Sequence, residues 1–300
     1  MATAAEPRPA VLPLPGGSNG AKVKLHPLLT ATVMGPPAWF LREEGRLGGL
    51  KALGFRVPKD RWFKAPIQCF LVEHPGAGAI LIDTGFHASV AVKPRSNLGR
   101  VGAMLYKDID MRPEQSAAAQ LRDKGIQASD VRVVIMTHFH PDHASAISDF
   151  PEATFLVSDV EWEAATEGGQ RQGYVSSQFD HGFDYRLVDF DSTNANSFSG
   201  FARSHDVFGD GSVRLVFTPG HTLGHMSVVL QTASGEVLVA GDAIFMHRTL
   251  EDDHLPFALP DEHLFRRSLR EIRQYLKETP EALVIPGHDW EAWQKLQPVY

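Results

Sequence analysis

The apolar run Val131-Arg132-Val133-Val134-Ile135-Met136-Thr137 ends in His138-Phe139-His140-Pro141-Asp142-His143. No other stretch narrows so far what this chain can fold into. A buried strand must deliver its C-terminal end to a corner where four metal-binding side chains sit within six residues. Alternation along a strand sends His138 and His140 to the same side. Pro141 then stops the strand, and Asp142 and His143 open a helix. Strand-to-helix corners at the carboxyl end of a sheet are where layered α/β proteins place their active sites. Imidazole with carboxylate is the donor set of zinc, iron and their neighbours, whereas calcium and magnesium favour oxygen. Chance clustering of surface residues is the bland alternative, and the His-x-His-x-Asp-His spacing argues against it.

Three later segments follow the same grammar, an apolar run closing on a histidine or aspartate. They are Arg214–His221, Glu236–Asp242 and Ala282–His288. Taken singly each is ordinary turn punctuation; together they bring His221, Asp242 and His288 to strand ends like the first. Apolar and amphipathic patterns interleave along the whole chain. Strands are predicted over 22–35, 67–74, 79–85, 131–138, 154–159, 213–221, 225–232, 236–243 and 282–288, with a hairpin at Ala233-Ser234-Gly235. Helices are predicted over 113–124, 143–149, 159–167 and 261–278. The stretch from about 166 to 205, rich in Gly, Ser, Asn and aromatics, reads as a long loop or lid-like insertion.

Composition sets limits on partners and compartment. The 300 residues are 43% hydrophobic and 22% charged, enough for a sizeable core. Residues 1–20, with their prolines and glycines, read as a flexible leader, and 21–300 as one domain of helices layered outside sheets. The leader lacks the unbroken apolar length of a secretory signal, and no run is long enough for a transmembrane helix. A net charge of -7 speaks against a nucleic-acid partner. Cys69 is the single cysteine, so neither a disulfide framework nor a cysteine-ligated cluster can form within the chain; it reads as a buried, inert thiol. The expected location is the cytoplasm. No G-x-S-x-G elbow, Walker loop or G-x-G-x-x-G fingerprint occurs. Asp83, in Ala-Ile-Leu-Ile-Asp-Thr-Gly, is one Asp-Thr-Gly where an aspartic protease needs two. It reads instead as a carboxylate orienting a metal-bound imidazole, with a plain turn aspartate as the alternative. His225 is open between such a supporting role and a structural one. Glu251-Asp252-Asp253 reads as solvated loop.

His138-Phe139-His140-Pro141-Asp142-His143, followed by His221, Asp242 and His288, resembles the metallo-β-lactamase superfamily. The resemblance implies an α/β fold, the αββα sandwich, with two divalent metal ions at one edge. It assigns His138, His140 and His221 to one ion, Asp142, His143 and His288 to the other, and Asp242 to both. Zinc is the first expectation, with iron, manganese or cobalt as alternatives. A water bridging two such ions has its pKa lowered to about 7 and attacks a carbonyl without any serine or cysteine, while Asp142 or Asp242 takes its proton.

Within the superfamily, a true β-lactamase would use a cysteine ligand or lack the bridging aspartate. A nuclease fits poorly with the acidic charge. A glyoxalase-type thiolester hydrolase would add a basic C-terminal segment, and only Lys295 is basic after His288. Persulfide dioxygenases use one iron. The chain is most similar to the N-acyl-homoserine lactone lactonases, through Ala79–Gly85, Thr218–His225, Gly241–Phe245 and Pro286–Asp289. This implies a small lactone or ester substrate, with a homodimer left open. Trp39, Phe40, Trp62, Phe63, Phe179, Phe183 and Tyr185 are candidates for an acyl groove, with core packing as their alternative. Those enzymes often carry a tyrosine three residues after the bridging aspartate; here Phe245 stands there. His247 or Tyr185 would have to supply a hydroxyl or its equivalent, or the metals act without one. Other lactones, thiolesters and organophosphate esters are the alternative substrates, and an iron-dependent redox or non-catalytic metal-binding role is the alternative class.

Overall fold

The structure, a computed structural model, describes residues 4–45 and 47–300. Fourteen strands among the described residues form two sheets. In chain order they are β1 (Arg8–Pro9), β2 (Lys24–Gly35), β3 (Phe63–His74), β4 (Gly78–Ile82), β5 (Lys107–Asp110), β6 (Val131–Ile135), β7 (Thr154–Ser158), β8 (Asp184–Val188), β9 (Asn196–Phe198), β10 (Phe201–Asp206), β11 (Val213–Phe217), β12 (Met226–Thr232), β13 (Gly235–Gly241) and β14 (Leu283–Pro286). The first sheet runs β1-β8-β7-β6-β4-β3-β2-β5 and the second β14-β13-β12-β11-β10-β9. Strands β4, β6, β7 and β8 pair in parallel, as do β13 and β14.

Alternation along the strands builds three layers of core. Phe70, Val72, Ile80, Ile82, Val133 and Ile135 of the first sheet meet Leu215, Phe217, Val228, Leu230, Val237 and Val239 of the second. Their neighbours Leu71, Leu81, Val134 and Phe155 point outward, onto Leu121 of the helix Ala117–Asp123 and Ala165 of the helix Asp159–Gly168. Behind the second sheet, Val216, Val229 and Leu238 pack on Phe265, Leu269, Ile272 and Tyr275 of the helix Glu262–Glu278. That helix starts where Asp261 accepts the amide of Leu264 at 2.9 Å. Helix, sheet, sheet, helix is the αββα sandwich. Covered on both faces, β4, β6 and β7 read as nearly continuous apolar runs.

All nine predicted strands are present, but those that carry the metal-type residues stop short of them. β6 ends at Ile135, β11 at Phe217, β13 at Gly241 and β14 at Pro286. His138 and His140 therefore lie on the connection after β6 and owe their common direction to that turn, not to the pleat of a strand. The helix expected over 143–149 begins earlier, with Pro141 at its first turn, ends at Ala144, and gives way to a 3₁₀ turn over Ile147–Asp149. The one expected over 113–124 is broken at the extended Ser116 into Pro113–Gln115 and Ala117–Asp123. The supposed insertion at 166–205 contains β8, β9 and β10. β9 is three residues long and mostly exposed, which hides any period. The helix Pro94–Leu105, interrupted at Gly99, has a mixed polar surface and no predicted counterpart.

The first twenty residues do not project as the flexible leader that composition suggests. From Ala4 they run along the body: Arg8–Pro9 pairs in parallel with Arg186–Leu187, and Leu14 N donates to Val207 O at 2.7 Å. Ala10, Leu12 and Leu14 pack against the core between the sheets. An edge position suits proline, which needs no ladder hydrogen bond on its outer side. Residues 1–3 lie outside the described part.

Candidate metal centre and substrate cavity

The turns after β6, β11, β13 and β14 meet at one edge of the sandwich. His140 caps the short helix Pro141–Ala144, whose first turn carries Asp142 and His143. Thr84 locks this turn by donating from its amide (2.8 Å) and its hydroxyl (2.7 Å) to His143 O. All seven residues singled out in the sequence come together here.

Three donor groups form, each with its atoms within 4.8 Å of one another: His138, His140 and His221; His138, His143 and Asp242; and Asp142, His143 and His288. His140 Nδ1 and His221 Nε2 are 2.9 Å apart, one ring nitrogen donating to the other. Asp242 lies between the groups. Its Oδ2 is 3.1 Å from His221 Nε2 and 3.2 Å from His288 Nε2, and its Oδ1 is 3.3 Å from His143 Nε2. Asp142 Oδ2 is 3.4 Å from His288 Nε2 and 3.7 Å from His143 Nε2. The cluster is buried, with only His140 partly open. His138 Nε2, His143 Nε2 and Asp242 Oδ1 have no hydrogen-bond partner. Orphaned buried polar atoms are costly, and lone pairs converging from imidazoles and carboxylates fit a pair of divalent cations.

Electrostatics divide the histidines. Burial holds His138 and His221 well below the usual imidazole range, with neighbouring imidazoles adding to it, and burial also lowers His140. These three are neutral, the form that binds metal. Burial pulls His143 down as well, but Asp142, Asp83 and Asp242 outweigh it and hold the ring well above its ordinary value. Burial would raise Asp242, yet His288, His221 and His143 keep it well below the carboxylate range.

A supporting layer fixes these rings. Asp83, held at a left-handed φ of 58°, accepts from His143 Nδ1 at 2.7 Å and from the Thr137 amide at 2.8 Å. That bond puts the His143 proton on Nδ1 and leaves Nε2 facing Asp242. His225 packs against His138, ring centres 5.2 Å apart, but belongs to none of the donor groups. Its Nε2 accepts from the Asp242 amide at 3.0 Å, so it holds the turn after β13, and burial pushes it down to about 3. Sequence reading missed Glu161. Its carboxylate accepts from the Phe139 amide at 2.9 Å and the Thr222 hydroxyl at 2.6 Å, clamping two ligand-bearing turns, and burial pushes it up to about 7. Tyr106 was missed too: its hydroxyl donates to Asp142 Oδ1 at 2.6 Å. Neither a glutamate on an amphipathic helix nor a tyrosine after one carries a signal in sequence alone.

A cavity of about 1010 Å³ opens onto the cluster, with His140, Asp142, His221, Asp242 and His288 on its floor. Its walls are mostly apolar and come from Trp39 and Phe40, from Leu98–Tyr106, and from Phe257–Leu259. Of the aromatic residues expected in a groove, only Trp39 and Phe40 line it. Phe179 and Tyr185 are buried in the outer layer with Phe183 against them, and Phe63 packs against Phe40 with the rings tilted at 39°. Trp62 packs toward Val57 O. Phe245 lines the floor, its ring centre 5.1 Å from those of both His221 and His288. His247 points away and pairs with Asp289 at 3.2 Å. Tyr185 donates its hydroxyl to Phe179 O at 2.6 Å. Neither can replace a hydroxyl at position 245. Cys69 is fully buried in β3, its thiol raised by that burial, and Glu251–Asp253 is exposed. No helix among the described residues is long and apolar enough to cross a membrane.

The profile of the metallo-β-lactamase superfamily matches residues 63–288, which takes in every member of the cluster. The chain belongs to that superfamily. Among its curated relatives is the N-acyl homoserine lactonase AttM of Rhizobium radiobacter, 32% identical over 77% of this chain and 84% of the relative. The N-acyl homoserine lactonase of Bacillus cereus is 30% identical over 75% of this chain and 82% of its own length. A probable metallo-hydrolase of Mycobacterium tuberculosis is 33% identical over 72% and 73%. Among solved structures, an N-acyl homoserine lactone hydrolase with N-hexanoyl-L-homoserine at its catalytic metal centre superposes with a TM-score of 0.71. It is 24% identical and covers 91% of this chain and 96% of its own.

Proposed function

We propose that this chain is a two-metal hydrolase that opens the ring of N-acyl-homoserine lactones. The observation that carries it is the convergence of six donors around a seventh, Asp242, at the floor of an apolar cavity, in a chain whose curated relatives bear that name. His138, His140 and His221 would hold one cation, Asp142, His143 and His288 the other, and Asp242 would reach both. Zinc suits this donor set. When bound, such cations would supply Lewis acidity toward a carbonyl oxygen and activate water near neutral pH.

The chain's own residues do the rest. Asp242 is ringed by three imidazoles at 3.1–3.3 Å, held where it would bridge the two cations. Asp142 faces the cavity, and its carboxylate would take the proton of the nucleophile and return it to the departing alkoxide. Trp39, Phe40 and Phe245 exclude water and receive the acyl chain. Residues 21–300 act as one catalytic unit, and a lone buried thiol suits the cytoplasm.

A pH-indicator assay on hexanoyl-homoserine lactone tests this reading. Activity is expected to vanish with a chelator and to return with zinc, manganese or cobalt. Full activity in the metal-free protein, or none on any lactone, would overturn it. A phenyl ring at position 245 favours a second reading, hydrolysis of other apolar esters or phosphotriesters, and those substrates belong in the same panel.

A further inference from the structure

Phe245 leaves the floor of the cavity without the phenol that the lactonase resemblance puts there, and His247 and Tyr185 are turned elsewhere. A phenol nevertheless reaches the cluster from another part of the chain. Tyr106 follows the helix Pro94–Leu105, lines the cavity, and donates from its hydroxyl to Asp142 Oδ1 at 2.6 Å. The side chain is not free to wander. Its amide donates to Gly102 O at 2.9 Å, and its ring stands edge-on to the buried Phe86, centres 5.3 Å apart at 86°.

The consequence lies in which oxygen of Asp142 is left over. Oδ1 is taken by the phenol; Oδ2 faces Nε2 of His288 at 3.4 Å and of His143 at 3.7 Å. We propose that Tyr106 is a positioning residue that fixes the rotation of the Asp142 carboxylate, so that one oxygen is presented to the second cation and the other is held on the cavity side. The proposal rests on the two-metal reading above. A hydrogen bond behind a ligating carboxylate orients it as Asp83 orients His143, and loss of such a partner typically weakens metal affinity or activity by about 10–100-fold. Because Tyr106 also belongs to the cavity wall, the segment that receives substrate and the carboxylate that handles the proton are joined by one bond.

The test is Tyr106→Phe in the full chain, which keeps the ring on Phe86 and removes only the hydroxyl. Metal-free wild type and variant are titrated with zinc against a chromogenic chelator, and cobalt-loaded spectra are recorded. The wild type is expected to take up two equivalents. In the variant the weaker-bound equivalent should lose affinity by about 10–100-fold while the other stays within about threefold. The thermal midpoint of the metal-free protein should hold, and kcat should fall with KM little changed. A double-mutant cycle with Asp142→Ala guards against a general packing defect, since the effect of removing the hydroxyl should disappear once the carboxylate is gone. Two unchanged affinities in Tyr106→Phe, beside a wild type that binds two ions, would overturn the proposal and leave the two-metal reading standing. A wild type binding fewer than two would overturn both. Equal effects of Tyr106→Phe with and without Asp142 would also overturn it.

Discussion

Glu161 shows what a single buried carboxylate does for this site. It accepts from Phe139 and Thr222, one on each side of the cluster, and burial raises it from 4.5 to about 7. A carboxyl raised on folding binds its proton more tightly in the native state. The stability it lends is complete below about pH 4.5 and is lost as pH rises through about 7. The gap is worth about 3 kcal/mol. Glu161→Gln should therefore flatten the decline in thermal midpoint between pH 5 and 7.5 relative to wild type, followed by scanning calorimetry at several pH values. Parallel curves would show that Glu161 titrates normally. At Phe245 the expected result is a gain. Phe245→Tyr should raise kcat/KM on homoserine lactones by about tenfold, or 1.4 kcal/mol. A fall on every lactone with metal content unchanged would point to another ester.

The elements that carry the ligands were legible because each obeys one rule, an apolar run that stops at Gly-His, Gly-Asp or Thr-His. The largely apolar runs of β6, β11, β13 and β14 stand out, and His138, His221, Asp242 and His288 lie in the turns just beyond their ends. What escaped reading was the wall. The helix Pro94–Leu105 has a break at Gly99 and exposes Val101, Met104 and Leu105, so no single stripe marks it. Tyr106 matters through a partner 36 residues away, and Glu161 through partners 22 and 61 residues away. The leader misled for a related reason: proline-rich composition resembles disorder, while its register on β8 exists only in three dimensions. Packing between elements also sets the His221 turn. Gly220 has φ 133°, and a methyl group there would lie 2.2 Å from the Phe265 amide nitrogen. Gly220→Ala must push the turn away from the helix Glu262–Glu278. It should cost more than about 2 kcal/mol of stability and weaken binding of the first cation, read by urea melts and metal titration. A variant as stable as wild type would mean that the turn relaxes freely.

At the scale of the molecule, the donors are shared between the halves of the sandwich. Segment 138–143 extends from β6 in the first sheet; His221, Asp242 and His288 extend from β11, β13 and β14 in the second. Cations held as proposed would therefore tie the sheets together. A thousandfold excess over Kd would add about 4 kcal/mol per site. Chelation should lower the thermal midpoint, and Asp242→Ala should lower both metal content and midpoint more than His138→Ala does, since in the proposed site one carboxylate would serve two ions. Elemental analysis and thermal melts of the two variants would decide it, and equal losses would remove Asp242 from the bridge. The cavity has a different origin: its walls come from Trp39 and Phe40, from the helix Pro94–Leu105 and from Phe257–Leu259, none of which supplies a donor to the cluster. Reactivity and selectivity are thus encoded in separate stretches of the chain. Mutation can redraw the shape of the substrate while the hydrolytic machinery is inherited intact, with Tyr106 as the seam where the two inheritances touch.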